Sequence, residues 1–133
     1  MAEDVVKKAE EFKDQLEDAW RRIPKPFRNE RTIRGSLRCR LFGILENGGL
    51  RPVADYMPPR IADRPVDVIA LKDDLEVVYA VCIDTVVTLA AVKSLNSFEA
   101  ARKIIFTTGM LEKKVQESRF FLSGDIEHVH LRP

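Results

Sequence analysis

Arg64–Thr88 reads RPVDVIALKDDLEVVYAVCIDTVVT, and the reading of this stretch decides the fold. Two apolar runs, Val66–Leu71 and Val77–Ile83, flank a charged break, Lys72-Asp73-Asp74-Leu75. β-Branched runs of this length, bounded by turn residues, predict the two strands of a hairpin. Each run carries an acid that its neighbours do not call for, Asp67 near the start of the first and Asp84 at the end of the second. A carboxylate in a buried strand is costly unless it is paired, hydrogen-bonded or holding a cation. These two acids are therefore the first candidates for chemistry.

Upstream, Leu50–Tyr56 predicts a further strand, and Met57-Pro58-Pro59-Arg60 with Asp63-Arg64-Pro65 predicts an irregular loop. A helix over 27–46, stopped by Asn47-Gly48-Gly49, buries Ile33, Leu37, Leu41, Ile44 and Leu45. Arg28, Arg31, Arg34 and Arg38 recur on another face of it, and are either a solvated basic face or a grip on a phosphate backbone. Glu30 extends the apolar stripe, so its side chain is expected to point inward. Before it, Val5, Ala9, Phe12, Leu16, Ala19 and Ile23 mark an amphipathic helix over 3–22, ended by Pro24 and Pro26. Two uses fit that stripe: a helix lying on the core, or an arm against a second subunit in a homodimer. The prolines divide the chain into an N-terminal helix, 1–23, and an α/β domain, 27–133.

Downstream, Leu89, Val92, Leu95 and Phe98 predict a mostly buried helix capped by Thr85 or Thr88, with a restart at Asn96-Ser97. Lys103–Thr108 predicts a buried strand, LEKKVQESRFFL a last helix, and Asp125–Leu131 a last strand. His128 and His130 share a face of that strand, either as a metal-gripping pair or as polar residues of an exposed edge. Short turns join the first three strands, which predicts an antiparallel meander; the later strands return through helices, which predicts parallel crossovers. The expected fold is α/β, a mixed sheet flanked by helices.

With 133 residues the chain suits one core, and a formal net charge of +1 announces no nucleic-acid or membrane partner by a global field. Cys39 and Cys82 show no metal spacing and read as reduced thiols of a cytoplasmic protein. No segment has the length of a membrane span or the pattern of a signal peptide. There is no Gly-rich phosphate loop, nucleophile elbow or Cys-X-X-Cys.

The order of elements, with acids at these points, resembles the PD-(D/E)XK nuclease-like superfamily, the restriction-endonuclease-like fold. The resemblance covers about residues 27–108. In that family a helix carrying a glutamate precedes a three-stranded meander. The second strand brings an aspartate, and the third an acid with a lysine two positions later. Glu30, Asp67 and Asp84 match those acids, and Pro65 lies two before Asp67. The resemblance implies a nuclease acting on nucleic acid, expected to be DNA, with Asp67 and Asp84 holding Mg²⁺ or Mn²⁺. Such an ion neutralises charge developing at a phosphodiester and acidifies a water.

The sequence departs from the pattern at the lysine, where it has Val86. Lys93 on the following helix is the candidate replacement, with Lys72 at the hairpin turn behind it. Three functions are thus expected in competition: a metal-dependent endonuclease using Asp67, Asp84, Lys93 and Glu30, with Arg28, Arg31, Arg34 and Arg38 holding the phosphate backbone; a catalytically inactive nuclease-fold module for nucleic-acid binding or protein assembly; and a small α/β protein whose two aspartates are structural, bonded to backbone amides or arginines.

Overall fold

Strands β2 (Val66–Leu71) and β3 (Val77–Asp84) form the hairpin that the two apolar runs predict. The turn closes through the Leu75 amide, which donates to the Lys72 carbonyl at 2.9 Å, with Leu75 at a left-handed φ of 70°. The structure is a computed structural model that describes residues 7–133. β1 (Arg51–Tyr56) pairs antiparallel with β2, β4 (Arg102–Thr107) parallel with β3, and β5 (Ile126–His130) parallel with β4. The spatial order is β1-β2-β3-β4-β5, a five-stranded mixed sheet. The expected meander and parallel crossovers are both present.

Helices cover the two faces, which is why the central strands read as continuous apolar runs without alternation. On one face lie α1 (Lys13–Arg22), with the 3-10 turn Ala9–Phe12 leading into it, and α2 (Glu30–Asn47). Leu16 and Trp20 of α1 and Leu37 and Leu41 of α2 pack with Val68, Val81, Ile83, Ile104 and Phe106 of the sheet. Fully burying one such side chain contributes about 1.5–3 kcal/mol. The α1 stripe that could have served as a subunit seam is thus used inside the chain. Val5 and the start of the predicted 3–22 helix lie outside the described residues.

On the other face α3 (Leu89–Asn96) packs Val92 and Leu95 on Ile69, Ala80, Cys82 and Ile105. The Thr88 hydroxyl caps it by accepting from the Ala91 amide at 3.1 Å. The predicted restart does not occur: the Ser97 hydroxyl donates to the Ser94 carbonyl at 2.7 Å and the helix stops. α4 (Glu112–Ser118) is shorter than predicted and tightens into a 3-10 turn, Arg119–Phe121. Its buried Ser118 hydroxyl donates back to the Val115 carbonyl and accepts from the Val87 amide. Similarly α2 begins at Glu30 and not at 27, because Asn29 accepts from the Thr32 amide at 2.9 Å and residues Lys25–Phe27 form a separate 3-10 turn.

The sheet edges differ. β1 carries Pro52, and its Asp55 takes a left-handed φ of 58°. At β5, Glu127 accepts from the Ala9 amide at 3.2 Å and from Arg102 at 2.8 Å, tying the entering chain to that edge. Near the carboxyl end, the Arg132 amide donates to Glu17 at 2.8 Å and its guanidinium grips both oxygens of Glu112. Among the described residues no helix is long and apolar enough to cross a membrane.

Candidate functional site

Asp67 and Asp84 do converge, and the group between them is an arginine. Nη2 of Arg64 lies 2.8 Å from Oδ2 of Asp67 and 3.2 Å from Oδ2 of Asp84. The same nitrogen donates to the Ile83 carbonyl at 3.3 Å, and Nη1 donates to the Pro65 carbonyl. Arg64 sits in the loop just before β2, and its own carbonyl accepts from the buried Ser94 hydroxyl of α3. This side chain is held from both ends.

The location follows from the strand pairing. The β2–β3 ladder starts at Val68↔Val81, so the hairpin opens toward Asp67. There the Ile83 amide donates to Oδ2 of Asp67 at 2.6 Å, and the Ile83 carbonyl is met by Arg64. Side chains serve both backbone groups of Ile83 where a neighbouring strand would otherwise do so. The second oxygen of Asp67 accepts from Arg34 at 3.0 Å and from Arg38 at 2.7 Å, both on α2.

The electrostatics separate the two acids. Burial opposes ionisation of Asp67, but Arg64, Arg38 and the Ile83 amide outweigh it and hold its carboxyl below the usual range. At Asp84 burial prevails over Arg64 and Arg34, and Asp67 adds repulsion, so its pKa is raised. For Arg64, burial disfavours the charge, yet the neighbouring carboxylates raise its pKa above the ordinary value. Burial pushes the Cys82 thiol up to about 12, which removes it as a nucleophile at neutral pH.

The other expected site residues fall as follows. Glu30 is exposed in the first turn of α2, not turned into the core as its place in the apolar stripe suggested. It nevertheless lines a cavity of about 280 Å³ with Arg31, Arg34, Asp84, Thr85 and Thr108. Lys93 is exposed on α3 rather than facing inward. Lys72 lies at the opposite end of β2 from Asp67, where it pairs with Glu76 at 3.0 Å. Among the described residues Lys93 makes no hydrogen bond or ion pair with Asp67 or Asp84, whose partners are arginines and the Ile83 amide. Of the arginine stripe, Arg28 donates to the Ile23 and Arg21 carbonyls at the end of α1, and Arg34 and Arg38 hold Asp67. Arg31 alone of the four is exposed and has no ion-pair partner among the described residues.

The polar cavity adjoins a second one of about 340 Å³, which shares Glu30, Thr85 and Thr108 and adds Ile33, Met110 and Pro133. Together they form a cleft beyond the carboxyl ends of β3 and β4, where parallel strands commonly present ligands. Gly109 belongs to its wall because the chain passes close: a Cβ there would stand 2.6 Å from the Thr85 carbonyl oxygen.

The donor set does not fit Mg²⁺ or Mn²⁺ as arranged. Both oxygens of Asp67 are taken by cationic or amide donors, and Oδ2 of Asp84 is turned onto Arg64. Among the described residues no three His, Cys, Asp or Glu side chains are grouped to hold a metal. His128 and His130 are engaged by one buried hydroxyl. Oγ1 of Thr107 lies 2.8 Å from Nε2 of His128 and 2.9 Å from Nδ1 of His130.

Sequence reasoning missed Arg64, Thr85, Thr108 and Gly109 as parts of this site. Arg64 stands three residues before Asp67, and the rule that buried charges are paired was the available signal. Comparison with protein-family models, curated proteins and solved structures gives no match.

Proposed function

We propose that this chain is a nucleic-acid-binding module on a restriction-endonuclease-like plan, with its acid pair given over to structure and not to hydrolysis. The observation that carries this reading is the cleft at the carboxyl ends of β3 and β4, where Arg31 and Arg34 stand beside an Asp84 already engaged by Arg64. An exposed arginine without an ion-pair partner is suited to a phosphate oxygen, and contacts of this kind position a backbone without reading sequence. The finer fold reading is supported by the order of parts. A helix bearing Glu30 precedes a meander with Asp67 on its second strand and Asp84 on its third, followed by a helix and a parallel strand. Val86 in place of a lysine, and Lys93 in solvent, support binding over cutting.

Fluorescence anisotropy with labelled single- and double-stranded DNA tests the reading at about 50 and 200 mM salt. Binding should weaken with salt and fall several-fold in Arg31→Glu, with no cleavage in Mg²⁺ or Mn²⁺. No binding at the lower salt would refute it. Mn²⁺-dependent cleavage lost in Asp84→Ala would restore the metal-dependent endonuclease in its place.

Protein assembly, including a homodimer, is the second reading, favoured by Met110, Leu111 and Phe120 exposed before and after α4. Its check is the solution mass of the wild type against Phe120→Ser.

A further inference from the structure

Arg64 satisfies a set of oxygens that converge from three directions. Asp67 Oδ2, Asp84 Oδ2 and the Ile83 carbonyl all lie within 3.3 Å of Nη2, and Nε is 3.3 Å from Asp84. Only about a tenth of the side chain is exposed. Three of these oxygens meet at one nitrogen, as they would around a bound cation, while Nη1 reaches on to the Pro65 carbonyl, a contact that a single ion at the Nη2 position would not make.

The charge count opposes an added ion. Arg34, Arg38 and Arg64 bring three positive charges to the two carboxylates of Asp67 and Asp84, a sum of +1. Counting Asp55, 3.9 Å from Arg38, brings the sum only to zero. A divalent cation would enter a site that is already balanced, in a region of low dielectric where the excess is poorly screened.

We propose that the site is a cation site whose cation is built into the chain: the Arg64 guanidinium is its permanent occupant, and removing it leaves a pocket selective for a free guanidinium. A covalently attached cation cannot be chelated or exchanged, so this end of the β2–β3 hairpin is locked without any dependence on metal supply. The inference rests on the geometry alone and stands whether or not the cleft binds nucleic acid.

The test is chemical rescue of Arg64→Ala, followed by thermal unfolding. The variant should melt about 10 °C below the wild type, since two buried carboxylates lose a partner. About 5 mM methylguanidinium chloride, far below a denaturing concentration, should recover a good part of that loss by binding only the folded form. It should leave the wild type unmoved. Equal recovery with ammonium chloride, or none with methylguanidinium, overturns the proposal. Should Arg64→Ala not fold, Mn²⁺ calorimetry on the wild type and Asp84→Asn decides. No heat that depends on Asp84 is expected, and a Mn²⁺ site lost in Asp84→Asn would overturn the assignment.

Discussion

Asp67 and Asp84 meet the same guanidinium with opposite consequences for stability. Asp67→Asn leaves Arg34, Arg38 and Arg64 without their common carboxylate and should cost about 3–5 kcal/mol in urea unfolding at pH 7. Asp84 is different, because a raised carboxyl pKa means that its stabilising effect is greatest below the unfolded value of 3.8 and declines as pH rises through the folded one. Asp84→Asn should therefore lie within about 1 kcal/mol of the wild type at pH 7. The histidines govern the next stretch of the pH scale. Arg119 Nη1 lies 3.4 Å from Nδ1 of His128 and can only donate, so the proton of neutral His128 is on Nε2, facing Thr107. The Thr107 hydroxyl then donates to Nδ1 of His130. Burial, with Arg119 and His130 adding repulsion, lowers the His128 pKa to about 4. A lowered histidine pKa gives stability that is full above 6.5 and lost as pH falls toward 4. Asp67 continues the loss below 3.8. From pH 7 to 4 His128 pulls the denaturant midpoint down while Asp84 pulls it up, so His128→Gln should make the pH 4 midpoint higher relative to pH 7 than it is in the wild type. At this scale the sequence showed that two acids were out of place. Arg64, three residues before Asp67, was within reach of the pairing rule, whereas its contact with Asp84, twenty positions on, and the contacts of Arg34 and Arg38 with Asp67 depend on the tertiary fold.

The strands were legible because their signal is local. Val66–Leu71 is apolar but for Asp67 and holds no Gly or Pro, and β2 spans those residues. The helices were less so, because their ends depend on which backbone groups find a cap. Asn29 and not Phe27 starts α2, and Ser97 ends α3 by bonding to Ser94. Glu30 shows how this reaches the site. Being in the first turn, it has no preceding turn to bury it, and the stripe on which it falls leads out to the cleft. Two element ends near the cleft can be tested. Thr88→Ala removes the α3 cap and should cost about 1 kcal/mol. Gly109→Ala drives a Cβ against the Thr85 carbonyl and should cost about 1–3 kcal/mol by chemical denaturation. Gly109→Ala should also weaken whatever the cleft binds, whereas Thr88→Ala should not.

Taken as a whole, the molecule has its entering helix built into the same core as its sheet, a matter that periodicity alone left open between two partners. Trp20, the single tryptophan, makes this measurable. Its fluorescence and the far-UV circular dichroism should change in one coincident transition, whereas an independent arm would release Trp20 first. Leu16→Ala should lower that shared transition by about 2–5 kcal/mol. The general layout was readable because an alternation of strand and helix restricts topology strongly; the meeting of α2 with the hairpin mouth was not, since Arg34 and Arg38 stand 33 and 29 positions from Asp67. One outer feature bears on how the protein behaves in concentrated solution. With Pro52 lacking an amide hydrogen and the backbone at Asp55 bent out of the extended form, the β1 border is a poor template for another chain's strand. Replacing Pro52 by valine would return a backbone donor to that strand and leave only the bend at Asp55 to interrupt it, and fibrous or gel-like self-association would then be the expected failure of the sample.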